Sequence, residues 1–165
     1  MSTSRLPLLD DVVLLTRALR SIGAVLSGES AAHLYLAAAT SSRPGQPPRY
    51  SALPPQRIEA IVPAGAVEPP GVSSDRSAVA DAVRPVLALF TRNVVLADGT
   101  EVPTLSREAV LAELLGRGGL AIGLAGTLMQ LANDPPIEID EVRELLKAAR
   151  LSERFQPLLE LVQIA

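Results

Sequence analysis

The chain has 165 residues, a formal net charge of −3 and no cysteine, with 48% apolar and 2% aromatic residues. Its length fits a single domain over 1–165, able to bury about 70% of the surface its unfolded form exposes. The missing cysteines exclude disulfides and thiolate metal sites, and the aromatics (Tyr35, Tyr50, Phe90 and Phe155) are too few for a stacking platform on single-stranded nucleic acid.

The opening MSTSRLPLLDDVVLL does not read as a secretory leader, because Asp10 and Asp11 interrupt the apolar run. The expected location is the cytoplasm. Of the basic residues only Lys147 is a lysine, a bias we read as that of a GC-rich bacterial or phage genome. Leu8, Val12, Leu15, Leu19, Ile22 and Leu26 alternate steps of four and three, the seam of a helix that Gly28 can end. ESAAHLYLAAATSS follows. Its alanines favour a second helix, with a strand through His33 to Ala37 as the other reading.

Eight of the fourteen prolines lie between Arg43 and Gly71. They exclude helix there, and Arg57 to Val62 reads as one short strand. Because Leu53, Ile58, Ile61, Val62 and Val67 keep the segment apolar, 43–72 is expected as a Pro-rich extended arm or loop laid on another surface, with disorder as the other reading. Helix returns with Ser73 or Ser74 as its cap, a stripe of Val79, Val83, Val86 and Phe90, and a kink at Pro85. Val94 to Pro103 reads as a β-hairpin turning at Asp98-Gly99, with Pro103 restricting its second strand to a sheet edge. Ser106 caps a further helix that stops at Gly116. Two more helices follow the Asn133–Pro136 stop, the first capped by Asp140 and the second starting at Ser152 or Gln156.

The stretch from Gly116 to Asp134 is apolar and glycine-rich. Its fifteen uncharged residues, Gly118 to Ala132, give a helix of roughly 22 Å, short of a hydrocarbon core of about 30 Å. GRGGLA matches a dinucleotide-loop pattern, but that chemistry needs a strand before the glycines, and the preceding segment is helical in pattern. The remaining reading is a central helix wrapped by others, with Gly119, Gly123 and Gly126 as a small-residue stripe for close contact.

Chemistry-bearing residues are sparse. His33 is the sole histidine, and no nucleophile elbow accompanies it. The densest acids, Asp134, Glu138, Asp140, Glu141 and Glu144, coincide with a turn and a helix start, where acids are favoured electrostatically, and they lack a calcium-loop spacing. Arg43, Arg49 and Arg57, and later Arg143, Arg150 and Arg154, are interspersed with acids in a chain of pI about 5.2, which is no nucleic-acid footprint. A helix-turn-helix from Arg107 to Gly119 would lack base-reading side chains at the start of its second helix.

The sequence thus predicts a mainly α protein, a bundle of about five or six helices with one small hairpin near Val94–Pro103 and a long Pro-rich connection. No catalytic, cofactor or metal residues are expected, and no transmembrane segment. The expected function is a non-catalytic interaction protein, a self-associating adaptor or structural subunit of a larger bacterial or phage assembly. It would bind a protein partner or itself through Gly119, Gly123, Gly126, Leu53, Ile58, Ile61 and Val62. The alternatives are a small regulator of a nucleic-acid-associated complex and a small enzyme using carboxylates and His33.

Overall fold

The computed structural model describes residues 12–40, 58–96 and 99–164. Among them are seven α-helices: α1 (Val12–Ile22), α2 (Gly28–Thr40), α3 (Ala78–Val83), α4 (Arg107–Arg117), α5 (Leu120–Leu131), α6 (Ile139–Ala148) and α7 (Phe155–Ile164). The strands are β1 (Val25–Leu26), β2 (Ile58–Ile61), β3 (Val72–Ser74), β4 (Thr91–Val95) and β5 (Glu101–Leu105). They form one mixed sheet in the order β3-β2-β1-β5-β4. The expected helical bundle is therefore corrected to a mixed α/β fold built on a five-stranded sheet. None of the helices is long and apolar enough to cross a membrane.

The reason lies in strand length. β1 is two residues and β3 three, too short to show a period-2 pattern. Val25 and Leu26 also sit where the helical seam of α1 would continue. Gly23, at φ +71, instead ends that helix and turns the chain into the sheet. β1 then pairs antiparallel with β2, Val25 opposite Ile61, and parallel with β5, Leu26 in register with Thr104. Within the expected arm 43–72, residues 58–61 are β2 and Val72 opens β3. Residues 43–57, with Leu53, lie outside the described residues.

Successive strand residues supply opposite faces. Val25, Ile61 and Leu105 join one core with Val79 and Val83 of α3, the apolar residues of α4, and Val142 and Leu146 of α6. Leu26, Ile58, Ala60, Val94 and Val102 join the other, with Leu15 and Leu19 of α1 and Leu34 of α2.

The hairpin is present and longer than expected, running from Thr91 to Leu105. Its second strand, β5, is internal and not an edge, although it holds Pro103. The bonds Ser106 N–H to Phe90 O and Leu96 N–H to Thr100 O fix the phase of the ladder. Asn93 and Pro103 then form a non-bonded pair, where the missing N–H is not called on. Ser106 caps α4 as expected, its Oγ accepting from Ala109 N–H. The cap of α3 is Ser77 in place of Ser73 or Ser74, which belong to β3. Pro85 opens a 3-10 turn, Arg84–Phe90, that ends α3.

The helix at the centre is α4, where all residues from Glu108 to Leu115 are buried. The expected central helix, α5, lies at the surface with only Ala125 and Leu128 buried. Gly118 and Gly119, at φ +68 and +57, make the turn between the two.

Candidate functional site

The densest set of ionisable groups surrounds the N-terminus of α2. β1 ends at Leu26, and Gly28, at φ +59, starts the helix immediately after Ser27. Helix starts leave backbone N–H groups without intrahelical acceptors and attract anions. Here the chain supplies those anions itself. Gly28 N–H donates to Glu113 Oε1 at 2.9 Å, and Glu29 N–H donates to Glu59 Oε1 at 3.2 Å.

Each acid arrives on a different element. Glu59 projects from β2, and its backbone N–H donates to Ser30 Oγ at 2.9 Å. Asp75 follows β3; its Oδ2 accepts from Ser27 Oγ at 2.7 Å and its Oδ1 from Ser77 N–H at 3.0 Å. Glu113 comes from the middle of α4, and its Oε2 accepts from Ser77 Oγ at 2.9 Å. One turn further along α4, Arg117 reaches into the group. Its guanidinium donates to both oxygens of Glu59, at 2.9 and 2.7 Å, a bidentate pair. It also lies 3.7 Å from Asp75 Oδ1, 4.0 Å from Glu113 Oε2 and 3.6 Å from Glu29.

Two fully buried carboxyls in contact cannot both ionise cheaply. Burial pushes the Glu113 carboxyl well above its ordinary value, and its hydrogen bond to Asp75 and the charge there add to the effect, against Gly28 N–H and Arg117. Burial pulls Asp75 the same way, but hydrogen bonds from Glu113, Ser27 and Ser77 together with Arg117 outweigh it and hold Asp75 below its ordinary value. The two shifts run in opposite directions, so of this pair Glu113 holds its proton to the higher pH. Burial works against the charged form of Arg117, yet Glu59, Glu113 and Asp75 raise its pKa overall. Chemically, this cluster is an anion-binding helix start already filled by internal carboxylates and closed by an internal cation.

A cleft of about 660 Å³ lies elsewhere, between β4, the C-terminal turn of α2 and the connection from α5 to α6. Arg92 and Arg107 line it together with Glu108 and Asp134. Tyr35 at its wall donates to Leu105 O at 2.7 Å, and burial raises its phenol pKa.

The residues expected to interact separate into two sets. Ile58, Ile61 and Val62 are buried in the chain's own core. Gly119 and Gly123 are exposed, with nothing within 4 Å of a Cβ built on either, and Gly126 is half-buried. These glycines lie on or beside α5, twelve residues without a charge, where Leu120 is 98% exposed. His33 is a half-buried residue of α2. Burial lowers its pKa against a raising effect of Glu29, and its Nδ1 has no hydrogen-bond partner among the described residues. The acids from Asp134 to Glu144 are spread along the surface at the start of α6, Asp140 pairing with Arg143 at 3.1 Å. The described residues contain no group of three or more acidic, histidine or cysteine side chains able to hold a metal ion.

The sequence reading missed Glu59, Asp75, Glu113 and Arg117. One signal was present: Glu113 and Arg117 are four apart, a favoured helical ion pair, and Glu113 falls among the apolar positions of its helix.

No protein-family model matches the chain, and no curated protein does. Among solved structures, the crystal structure of the RV2827C protein from Mycobacterium tuberculosis aligns with a TM-score of 0.43 and 20% sequence identity, over 94% of this chain and 57% of that one. The chain thus spans little more than half the length of that protein, and a likeness this loose carries no argument about function.

Proposed function

We propose that this chain is a non-catalytic interaction protein, an adaptor or structural subunit of a larger bacterial or phage assembly, that works in the cytoplasm and docks a protein partner on α5. The carrying observation is the outer face of that helix. Over twelve residues it has no charge, it exposes Leu120 almost completely, and Gly119 and Gly123 leave its backbone open to close approach. Contiguous exposed apolar surface marks interaction sites, and small residues let a second helix approach closely, a pattern best known in membranes and used here by analogy. The acidic cluster supports the same reading. The amide donors at the start of α2 are already given to Glu113 and Glu59, which leaves them no vacancy for an anionic substrate.

The test is affinity capture from the native host with the wild-type chain and with Gly123→Arg, which places a long cation on the open face. The expected result is a protein retained in stoichiometric amount by the wild type and lost by the variant. Capture that is unaffected by Gly123→Arg, or empty for both, overturns the proposal.

A further inference from the structure

The sheet has two edges, and they differ. β3 is three residues long, whereas β4 has five, Thr91–Val95, in unbroken register with β5. The same ladder phase that tolerates Pro103 decides which backbone groups face outward. Phe90 and Leu96 bond across to Ser106 and Thr100, so Arg92 and Val94 also face β5. Thr91, Asn93 and Val95 turn their N–H and C=O groups away from the sheet, and among the described residues no backbone group takes up the N–H of Asn93 or Val95.

Free edges are ordinarily blunted by shortness, proline, a bulge, an inward charge or a covering element. β4 has no proline and no bulge. Its single charge, Arg92, is folded back onto the carbonyls of Leu89 and Thr91, both at 3.0 Å. Apolar side chains are exposed beside it: Val95 at 57% and, in the turn leading in, Leu89 at 68%.

The charges along the edge indicate the occupant. The cleft beside β4 carries Arg92 and Arg107 against Glu108 and Asp134. A strongly acidic or basic partner gains little from such a balance. A surface that meets its own copy across a twofold axis must be self-complementary, which a nearly neutral edge permits. We infer that two copies of this chain join β4 to β4, antiparallel, about a twofold axis at Asn93, continuing the sheet through both. Asn93 then pairs with Asn93 of the second copy and Thr91 with its Val95, which covers the exposed valine. Arg92 falls opposite Val94 of the second copy and not opposite another arginine. This surface is separate from α5, and the inference stands or falls independently of the partner proposed there.

The absence of cysteine from the sequence makes the test clean. Residues in a bonded antiparallel pair hold their Cα atoms about 5.5 Å apart, so two thiols there lie within reach of one short bis-maleimide linker. Asn93→Cys should convert to a covalent dimer with that linker, while Val67→Cys, in an exposed loop, should not. Light scattering at tens of micromolar should give twice the 17.3 kDa chain mass for the wild type. Asn93→Pro should give the single-chain mass with an unchanged circular dichroism spectrum, since the N–H it removes is not part of the β4–β5 ladder. If Asn93→Pro does not fold, Val95→Lys replaces it, again with the single-chain mass expected. A monomeric wild type overturns the inference, as does a dimer that survives either edge substitution or leaves Asn93→Cys uncrosslinked.

Discussion

The backbone N–H of Gly28 donates to Glu113 Oε1 at 2.9 Å, joining the first residue of one helix to the middle of another 85 positions along the chain. The contact is possible because Gly28 has no side chain. A Cβ there would lie 2.5 Å from Glu59 Oε1 and 2.8 Å from Arg117 Nη2, at a φ of +59. Gly28→Ala should therefore lose more than the left-handed backbone alone costs, which is about 1–2 kcal/mol. Gly119→Ala is the control: it shares the positive φ, at +57, but its Cβ meets nothing within 4 Å. Urea denaturation of the two variants should show Gly28→Ala clearly the less stable. Equal losses would mean that the cluster adjusts without strain.

Arg117 lies within 4.0 Å of four acids, Glu29, Glu59, Asp75 and Glu113. Arg117→Met keeps much of the volume and removes the charge. The expected loss is about 3 kcal/mol, near the lower end for removing one partner of a buried pair. Glu59→Gln should soften it, so the double variant should be less than additively destabilised. Additive losses would show that the bidentate pair is not coupled.

Protonation of Glu113 sets a pH dependence. Its folded pKa lies well above the ordinary 4.5, so the folded chain keeps a proton that the unfolded chain releases. Stability from this group is complete below that ordinary value and is lost as pH rises toward the folded one. Asp75 behaves in the opposite sense: its folded pKa lies below 3.8, so its contribution is present above that value and is lost as pH falls through the folded one. Glu113→Gln retains an acceptor for Gly28 N–H and a donor towards Asp75. As pH rises above the ordinary 4.5, stability should fall less steeply for this variant than for the wild type, with the loss at low pH retained. An unchanged slope would place the shared proton on another group.

The two ends of α5 should respond differently to truncation. Leu128 is fully buried and Leu120 is 98% exposed. Leu128→Ala should cost about 2–5 kcal/mol, whereas Leu120→Ala should stay within about 0.5 kcal/mol. Thermal melts of the isolated protein compare them directly, and a large loss for Leu120→Ala would mean that α5 is covered by its own chain.

Much of the local structure was legible. Ser106, Gly99 and Pro85 mark boundaries by backbone chemistry that neighbours do not override. The first strand was not legible, because Val25 and Leu26 satisfy a helical seam and a strand equally well, and only the pairing partners at Ile61 and Thr104 decide. The choice of central helix failed for a different reason. α5 is the more apolar in sequence, but apolar content alone does not fix burial. α4 carries Glu108 and Glu113 and is nonetheless the buried one. Those acids meet donors contributed from far along the chain: Glu138 N–H for Glu108, and Gly28 N–H and Ser77 Oγ for Glu113. Burial of a polar group depends on such partners, and a one-dimensional pattern does not display them. The acidic cluster was missed likewise, since Glu59, Asp75 and Glu113 converge only after the sheet has formed.

The central claim is that α5 is a docking face. Amide hydrogen exchange, measured residue by residue on the chain alone and on the chain captured with its partner, tests it most directly. The account expects amides from Leu120 to Leu131 to slow in the complex, while those of α4 stay slow in both states. Protection appearing at the start of α2 around Gly28, with α5 unchanged, would contradict it and return the acidic cluster to the centre of the function.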